Sequence, residues 1–283
     1  MARLVSEFLE AKKAPETLQT FVNTVLGEPW RESADDLEEG ELVARAEPFS
    51  LTAVREDVLF ITAGTDVQDD RLETVFLGHS RTETYVLDYH TIWGRPDDDR
   101  TWRDLDDLLR STWVHPLGTR IGVDAGAVDA GDGEWMDRVQ SFCAPRFGRR
   151  IVAIKGAQGN RPIISASKSK GSRLFIVGVD GLKATIMGRL KAGRSIRFSD
   201  GLPDRFYAEL TSEHRVTRYV RGQPLRVWER IPGKRAEALD ATCYALAARV
   251  LVTTNDVRRE EELKGAPPPR AAPTVVRSAW LER

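Results

Sequence analysis

Three aspartates far apart in the chain have the chemistry to work together. Asp66 closes the apolar run of "LFITAGTDVQDDRLE", Asp124 lies in "TRIGVDAG", and Asp240 lies in "RAEALDATCYALAARVLVTT". A lone charge at the end of a buried strand costs free energy unless something pairs with it. Three carboxylates that converge repel one another and hold raised pKa values unless a divalent cation neutralises them. Hard oxygen ligands without His or Cys select Mg²⁺ or Mn²⁺. Two such ions, about 3.5–4 Å apart, clamp the attacking and leaving oxygens of an in-line phosphoryl displacement. The chemistry expected of such a trio is phosphodiester hydrolysis with no covalent nucleophile.

The elements must bring these residues together. From Leu59, "VLFITAGTDV", "LETVFLGHS" and "TETYVLDYHTIW" are rich in β-branched and aromatic residues, and their short connections imply antiparallel neighbours. "TWRDLDDLLRSTW" places Trp102, Leu105, Leu108 and Leu109 at helical spacing. "TRIGVDAG" reads as a strand ending in Asp124, "AVDAGDG" as a loop, "EWMDRVQSFCAPRF" as a helix and "RRIVAIKG" as a strand ending near Lys155. Strand, helix, strand at these lengths is a right-handed crossover between parallel strands. Two helices, "VDGLKATIMGRLKAG" and "DRFYAELTSEH", precede "HRVTRYVRGQPLRVWERI", which alternates as a hairpin does, and a long helix carries Asp240. This order predicts an α/β fold of the ribonuclease H-like type, a mixed five-stranded sheet flanked by helices with an added β-hairpin. In that plan the first and fourth strands are neighbours and the last helix crosses the sheet, so Asp66, Asp124 and Asp240 would meet. The expected domains are a leading arm at 1–50, a nuclease-like domain at 51–253 and a flexible tail at 254–283.

The chain has 283 residues, 41% of them hydrophobic and 30% charged, as in ordinary globular proteins. Cys143 and Cys243 are too few for a disulfide framework and neither sits at zinc-ligand spacing. With no apolar run of membrane length and no signal-peptide pattern at the start, a soluble, intracellular protein is expected. A net charge of −1 hides a segregation. Residues 144–235 carry 21 Lys and Arg against 6 Asp and Glu, so this window is at +15 and the remainder at −16. Such asymmetry points to a polyanionic partner; pairing of the two halves within the fold explains it equally well.

The residues "FVNTVLGEPW", "LFITAGTDVQDDRLE", "IGVDAG", "KGAQGNRPI", "LFIVGVDGLKATIMGRL" and "EALDATCYALAA" resemble the C-terminal half of the terminase large subunit of tailed bacteriophages, in the branch of phage lambda's packaging enzyme. The resemblance runs from about Phe21 to Ala248. It implies a ribonuclease H-like endonuclease that cuts concatemeric double-stranded viral DNA, with two Mg²⁺ or Mn²⁺ ions. It also implies as partners the small terminase subunit, the portal protein and the ATPase domain of the full-length subunit, no membrane, and action in the host cell cytoplasm. Asp66, Asp124 and Asp240 match the metal-binding acidic positions. Two features depart from the pattern. "GAQGNRPI" lacks the Lys-Ser/Thr ending of a phosphate loop, so ATPase activity is not expected, and the chain would be an isolated nuclease domain or a short natural form. "VDAGAVDAGDGEW" differs from the usual reading, which leaves open whether Asp129 or Asp132 substitutes for, or adds to, Asp124.

Each candidate has a plainer reading. The offsets Asp66, Gln68, Asp70 and Glu73 imitate a calcium loop, but Arg71 stands where the loop needs Gly. Asp69 and Asp70 read as turn residues. Glu237 shares a helix face with Asp240 and is either a supporting acid or a first-turn residue favoured by the helix dipole. Glu213 and His214 are minor candidates. For DNA contact the expected residues are Lys155, then Arg161, Lys168, Lys170 and Arg173 in the basic loop "NRPIISASKSKGSR", and Arg215, Arg218, Arg221 and Arg226 on the hairpin; the plain alternative is a solvated surface. Two other functions fit the same features: a junction resolvase or hybrid nuclease, and a catalytically silent module that docks DNA or the portal.

Overall fold

The computed structural model describes residues 2–13, 15–27, 37–131, 133–168, 173–193, 195–220 and 223–265. Asp132, Lys170, Arg221 and residues 266–283 lie outside the described residues.

A central antiparallel meander is formed by β2 (Phe60–Val67), β3 (Arg71–His79) and β4 (Thr84–Trp93). β2 and β3 are buried along their whole length, which is why they read as continuous apolar runs and not as alternating ones. Beside β2, and parallel to it, lies β6 (Arg120–Asp129), and beyond it, again parallel, β7 (Ile151–Ala157). The order β4-β3-β2-β6-β7 is the ribonuclease H-like core that the sequence predicts.

The sheet is larger than the five strands expected. β1 (Ala46–Glu47) and β10 (Ile196–Ser199) extend it past β4; β9 (Leu174–Gly178) and β8 (Ile164–Ala166) extend it past β7; β5 (Thr112–Val114) pairs with β6. The result is a ten-stranded mixed sheet. β11 (Glu213–Val220) and β12 (Gln223–Arg230) form the separate antiparallel hairpin.

Helices cover both faces. α4 (Asp99–Arg110) and α5 (Met136–Cys143) pack on one side; α6 (Val179–Lys191), α7 (Asp204–Leu210) and α8 (Glu237–Arg249) pack on the other. α4 begins where the Asp98 side chain accepts a hydrogen bond from Arg100 N–H (2.8 Å), and it buries Trp102, Leu105 and Leu109. α1 (Ala2–Ala11) and α2 (Pro15–Phe21) pack on each other, whereas α3 (Glu39–Val43) buries Leu42 against α7. Residues 37–50 thus belong to the sheet domain through Leu42, β1 and Phe49, and are not only an arm. Likewise the segment expected as a tail holds α9 (Asp256–Leu263), which buries Leu263 and donates from Arg259 Nε to Leu59 O (2.9 Å).

α8 lies unusually close to β2. Thr62, Gly64 and Asp66 alternate onto the face beneath it. A Cβ on Gly64 would stand 2.0 Å from Ala241 O and 2.3 Å from Ala245 N, so only glycine lets the helix backbone come this near. Ala238, Ala241, Ala245 and Ala248, all buried, present the matching small surface. Thr62 Oγ1 then donates to Ala245 O (2.7 Å) and stitches strand to helix.

Candidate metal centre

The C-terminal end of β2 and the first turn of α8 meet above the sheet. The β2–β6 ladder runs through Thr65 opposite Val128, so Asp66 and Asp129, the next residue on each strand, are neighbours across a parallel pair. α8 places Asp240 over them from its first turn. Asp66 is held well above the usual carboxylate range, by burial first and then by the charges of Asp129 and Asp240. Burial likewise pushes Asp129 up to about 7, with Asp240 adding to the effect and the N–H groups of Gly131 and Ala130 opposing it. Their hydrogen-bond partners are neutral: Gln68 Nε2 donates to Asp66 Oδ2 (2.5 Å) and Gly131 N–H to Asp129 Oδ1 (3.1 Å), and the charge of Lys155 acts on Asp129 from nearby without an ion pair. No Lys or Arg among the described residues forms an ion pair with Asp66 or Asp129. The Tyr244 hydroxyl lies near the same three carboxylates, and burial and their charges raise its pKa strongly.

Asp124 is not part of this group, contrary to the sequence expectation. The strand does not end at Asp124 but continues through Ala125, Gly126, Ala127 and Val128 to Asp129. Asp124 falls at the irregularity in the ladder beside Ile61, near the opposite end of β2. There it accepts from Ile61 N–H (3.0 Å) and pairs with Arg259 (2.9 Å). Phe60 lies under this pair, with Arg249 4.1 Å and Arg259 5.6 Å from its ring centroid. Asp124 is therefore a structural clasp for α9. The acid that ends this strand is Asp129, not Asp124.

A second acidic group stands next to the first. Glu73, directly across from Asp66 in the β2–β3 ladder, joins Glu209 and Glu237, with one oxygen from each within 4.8 Å of the others. This is the tightest carboxylate trio among the described residues, and Asp66, Asp129 and Asp240 are set wider. Its charge is largely, but not fully, compensated by two arginines. Arg71 pairs with Glu73 and with Glu237 (3.4 Å), and Arg235 reaches Glu73 (3.1 Å), Glu237 (3.3 Å) and Glu209 (3.8 Å). The Tyr89 hydroxyl sits against Glu73 and Glu209. Glu209 Oε2 also accepts from Ala238 N–H (3.0 Å), which satisfies a free N–H at the start of α8 that Ala236 has no side chain to cap. Most of its oxygens are engaged by these arginines and by Tyr89, and the trio acts largely as a structural network, but Glu237 Oε2 is buried without a hydrogen-bond partner and stays open to a ligand. Asp66, buried, and Asp129, partly buried, have no ion-paired Lys or Arg among the described residues and fit a divalent ion better.

The residues expected on the DNA separate into two groups. Lys155 lies one residue past Ile154, the ladder partner of Asp129, and is exposed at the site. Arg161 follows β7 near Gly178, at the same end of the sheet. Lys168 and Arg173 lie at the other end of β8 and β9, where Arg173 covers the Phe147 ring (5.1 Å). Arg215 and Arg218 are exposed on β11, and Arg218 pairs with Glu229 across the hairpin (2.7 Å).

A family model described as "Terminase large subunit gpA, endonuclease domain" matches residues 1–261. The chain belongs to this terminase family. It is 30% identical over 266 residues to the terminase large subunit of Enterobacteria phage P21, covering 87% of this chain and 41% of that protein. To the terminase large subunit of Escherichia phage lambda it is 28% identical over 269 residues, with 87% and 41% covered. The chain thus spans about two fifths of the length of these relatives. Among solved structures, the large terminase of a thermophilic bacteriophage is 15% identical, with a TM-score of 0.43 over 74% of this chain and 42% of that one. The human cytomegalovirus terminase nuclease domain is 10% identical, with a TM-score of 0.43 over 81% and 98%. The residues of this carboxylate group that the sequence expectation does not assign are Asp129 and Lys183, the latter buried against Asp240. A sequence signal exists for the first, in the unusual run "VDAGAVDAGDGEW". None exists for the second.

Proposed function

We propose that this chain is a metal-dependent DNA endonuclease in which Asp66, Asp129 and Asp240 hold Mg²⁺ or Mn²⁺ for phosphodiester hydrolysis. The observation that carries this reading is the pair of neighbouring carboxylates across β2 and β6, buried Asp66 and partly buried Asp129, neither ion-paired with a Lys or Arg among the described residues. A divalent ion bound there supplies Lewis-acid chemistry, and two would clamp both oxygens of the displacement. The chain's own part is positioning. β2 and β6 fix two carboxylates by ladder register, Gly64 lets α8 deliver the third, and Gln68 and Gly131 N–H hold one oxygen of Asp66 and of Asp129. Lys155 and Arg161, at the same end of the sheet, suit contact with the phosphates of the cut strand. Membership of the family supports double-stranded viral DNA as substrate, and the small terminase subunit, the portal and an ATPase domain as partners in the host cytoplasm.

Plasmid nicking in Mn²⁺ tests the assignment. Asp66→Ala, Asp129→Ala and Asp240→Ala are each expected to lose about 100-fold or more of the activity. Asp124→Ala is expected to cleave normally per folded molecule while losing about 1–3 kcal/mol of stability, because it removes the acceptor of Ile61 N–H and one of the partners of Arg259. Unchanged cleavage by Asp129→Ala would remove the proposed site. No cleavage by any protein would favour a docking module, and a preference for branched DNA a resolvase.

A further inference from the structure

Lys183 is an unusual residue for its place. It lies on the buried face of α6 among Val179, Leu182, Ile186, Met187 and Leu190, where an aliphatic side chain would pack, and it is 6% exposed. Lysine is almost never this buried unless it is paired. Here Nζ lies 2.8 Å from Glu213 Oε2 at the start of β11 and 3.0 Å from Asp240 Oδ1. Burial works against its charge, but Asp240 and Glu213 more than offset it and its pKa is raised. Arg230 completes the ring from the surface, 3.7 Å from Asp240 Oδ2 and 3.8 Å from Glu213 Oε1, but it is half exposed and a weaker partner.

The consequence for Asp240 is asymmetric. One of its oxygens is committed to a cation that packing holds in place; the other faces only a loosely held arginine. Asp66 and Asp129 have no such partner. We propose that Lys183 is a resident counter-cation of the carboxylate site, a positioning residue that orients Asp240 and competes with a divalent ion for it, so that the site binds such an ion weakly. This rests on the metal-binding reading above. A fixed positive charge beside a ligand opposes an incoming cation through a low-dielectric path. Glu213 moderates the effect, because it shares the ammonium with Asp240. The two residues therefore act with opposite sign: removing Lys183 strengthens ion binding, and neutralising Glu213 leaves the ammonium to Asp240 and weakens it.

Mn²⁺ titration of the whole chain, read by the electron paramagnetic resonance signal of the free ion, tests this without reference to DNA cleavage. Lys183→Met is expected to bind Mn²⁺ about ten-fold more tightly than the wild type. Lys183→Arg is expected to match the wild type, and Glu213→Gln to bind several-fold more weakly. Circular dichroism checks that each variant is folded, and Glu213→Gln keeps the test open if Lys183→Met is not. A merely structural role would make Lys183→Met and Glu213→Gln both weaker; that result, or a Lys183→Met affinity equal to wild type, overturns the proposal. Wild-type binding that survives Asp66→Ala unchanged, or no Mn²⁺ binding by any of the proteins, would instead take down the carboxylate site itself.

Discussion

Asp129 holds a proton at a pH where most aspartates have lost theirs. Burial pushes its pKa up to about 7 in the metal-free protein, and an ion that uses its carboxylate must displace that proton. Mn²⁺ affinity is therefore expected to rise with pH through about 7, with up to one proton released from Asp129 on binding just below that pH. Calorimetry in two buffers of different ionisation heat measures the release, and identical heats in both would contradict it. Asp66 and Asp240 were legible in the sequence, because each follows a pattern that survives folding: the end of a long apolar strand, and the first turn of an alanine-rich helix. Asp129 was not. The glycines and aspartate of "AGAVDAG" signal a turn, yet here Ala125 to Val128 are a buried strand, and their small side chains are what that crowding demands. A Cβ on Gly126 would already touch Ile151 Cδ1 at 3.0 Å.

At the scale of elements, the site depends on how closely α8 sits on β2. Gly64→Ala places a methyl against helix backbone, which cannot yield as a side chain can, and is expected to cost about 3 kcal/mol or more by denaturant unfolding. The same variant should lose nuclease activity, since lifting α8 carries Asp240 away. The neighbouring stitch is pH-sensitive. Thr62 donates to Ala245 O, so its oxygen accepts from His79 Nε2–H (2.7 Å). Burial, with Arg249 adding to it, lowers the His79 pKa from 6.5 to about 3. Between those values the unfolded chain binds more protons than the folded one, so His79 makes stability rise with pH across that window. His79→Gln is expected to flatten the dependence between pH 4 and pH 6.5, measured as unfolding midpoints; an unaltered slope would exclude this role. The meander, the crossover pair, α4, α6, α7, α8 and the hairpin were readable from periodicity. β1, β5, β8 and β10, of two to four residues, were not, because strands this short exist by pairing with a sheet already formed. α9 was missed because most of its residues are charged and its fixing contacts are long-range: Arg259 with Asp124, and Leu263 with the core.

For the molecule as a whole, part of the charge segregation is resolved inside the fold. Arg146 and Arg149 pair with Asp106 (2.8 and 2.6 Å), Arg197 with Glu47 and Arg235 with Glu73, each joining the basic window to the acidic remainder. What is left over is uneven. Lys155 and Arg161 lie beside the carboxylate site, while Lys168 and Arg173 lie at the far end of the sheet, so a duplex that reaches the site meets the first pair. Replacing Lys155 and Arg161 by alanine is expected to weaken DNA binding regardless of sequence, and to reduce the slope of log K against log salt by about 2. The same change at Lys168 and Arg173 should leave the slope nearly as it was. Filter binding across a salt series distinguishes the two, and equal effects would show that the duplex also spans the distant end.

The ten-stranded sheet has one more property that follows from where it stops. Its outermost members are β1, two residues long, and β8, three residues long. A long, flat border with free N–H and C=O groups invites another chain to add on. Here the long central strands are enclosed and the borders are stubs, too brief to template a partner. The borders of this sheet therefore offer little backbone for strand addition by another copy, and the longer strands open at an edge are those of the separate hairpin.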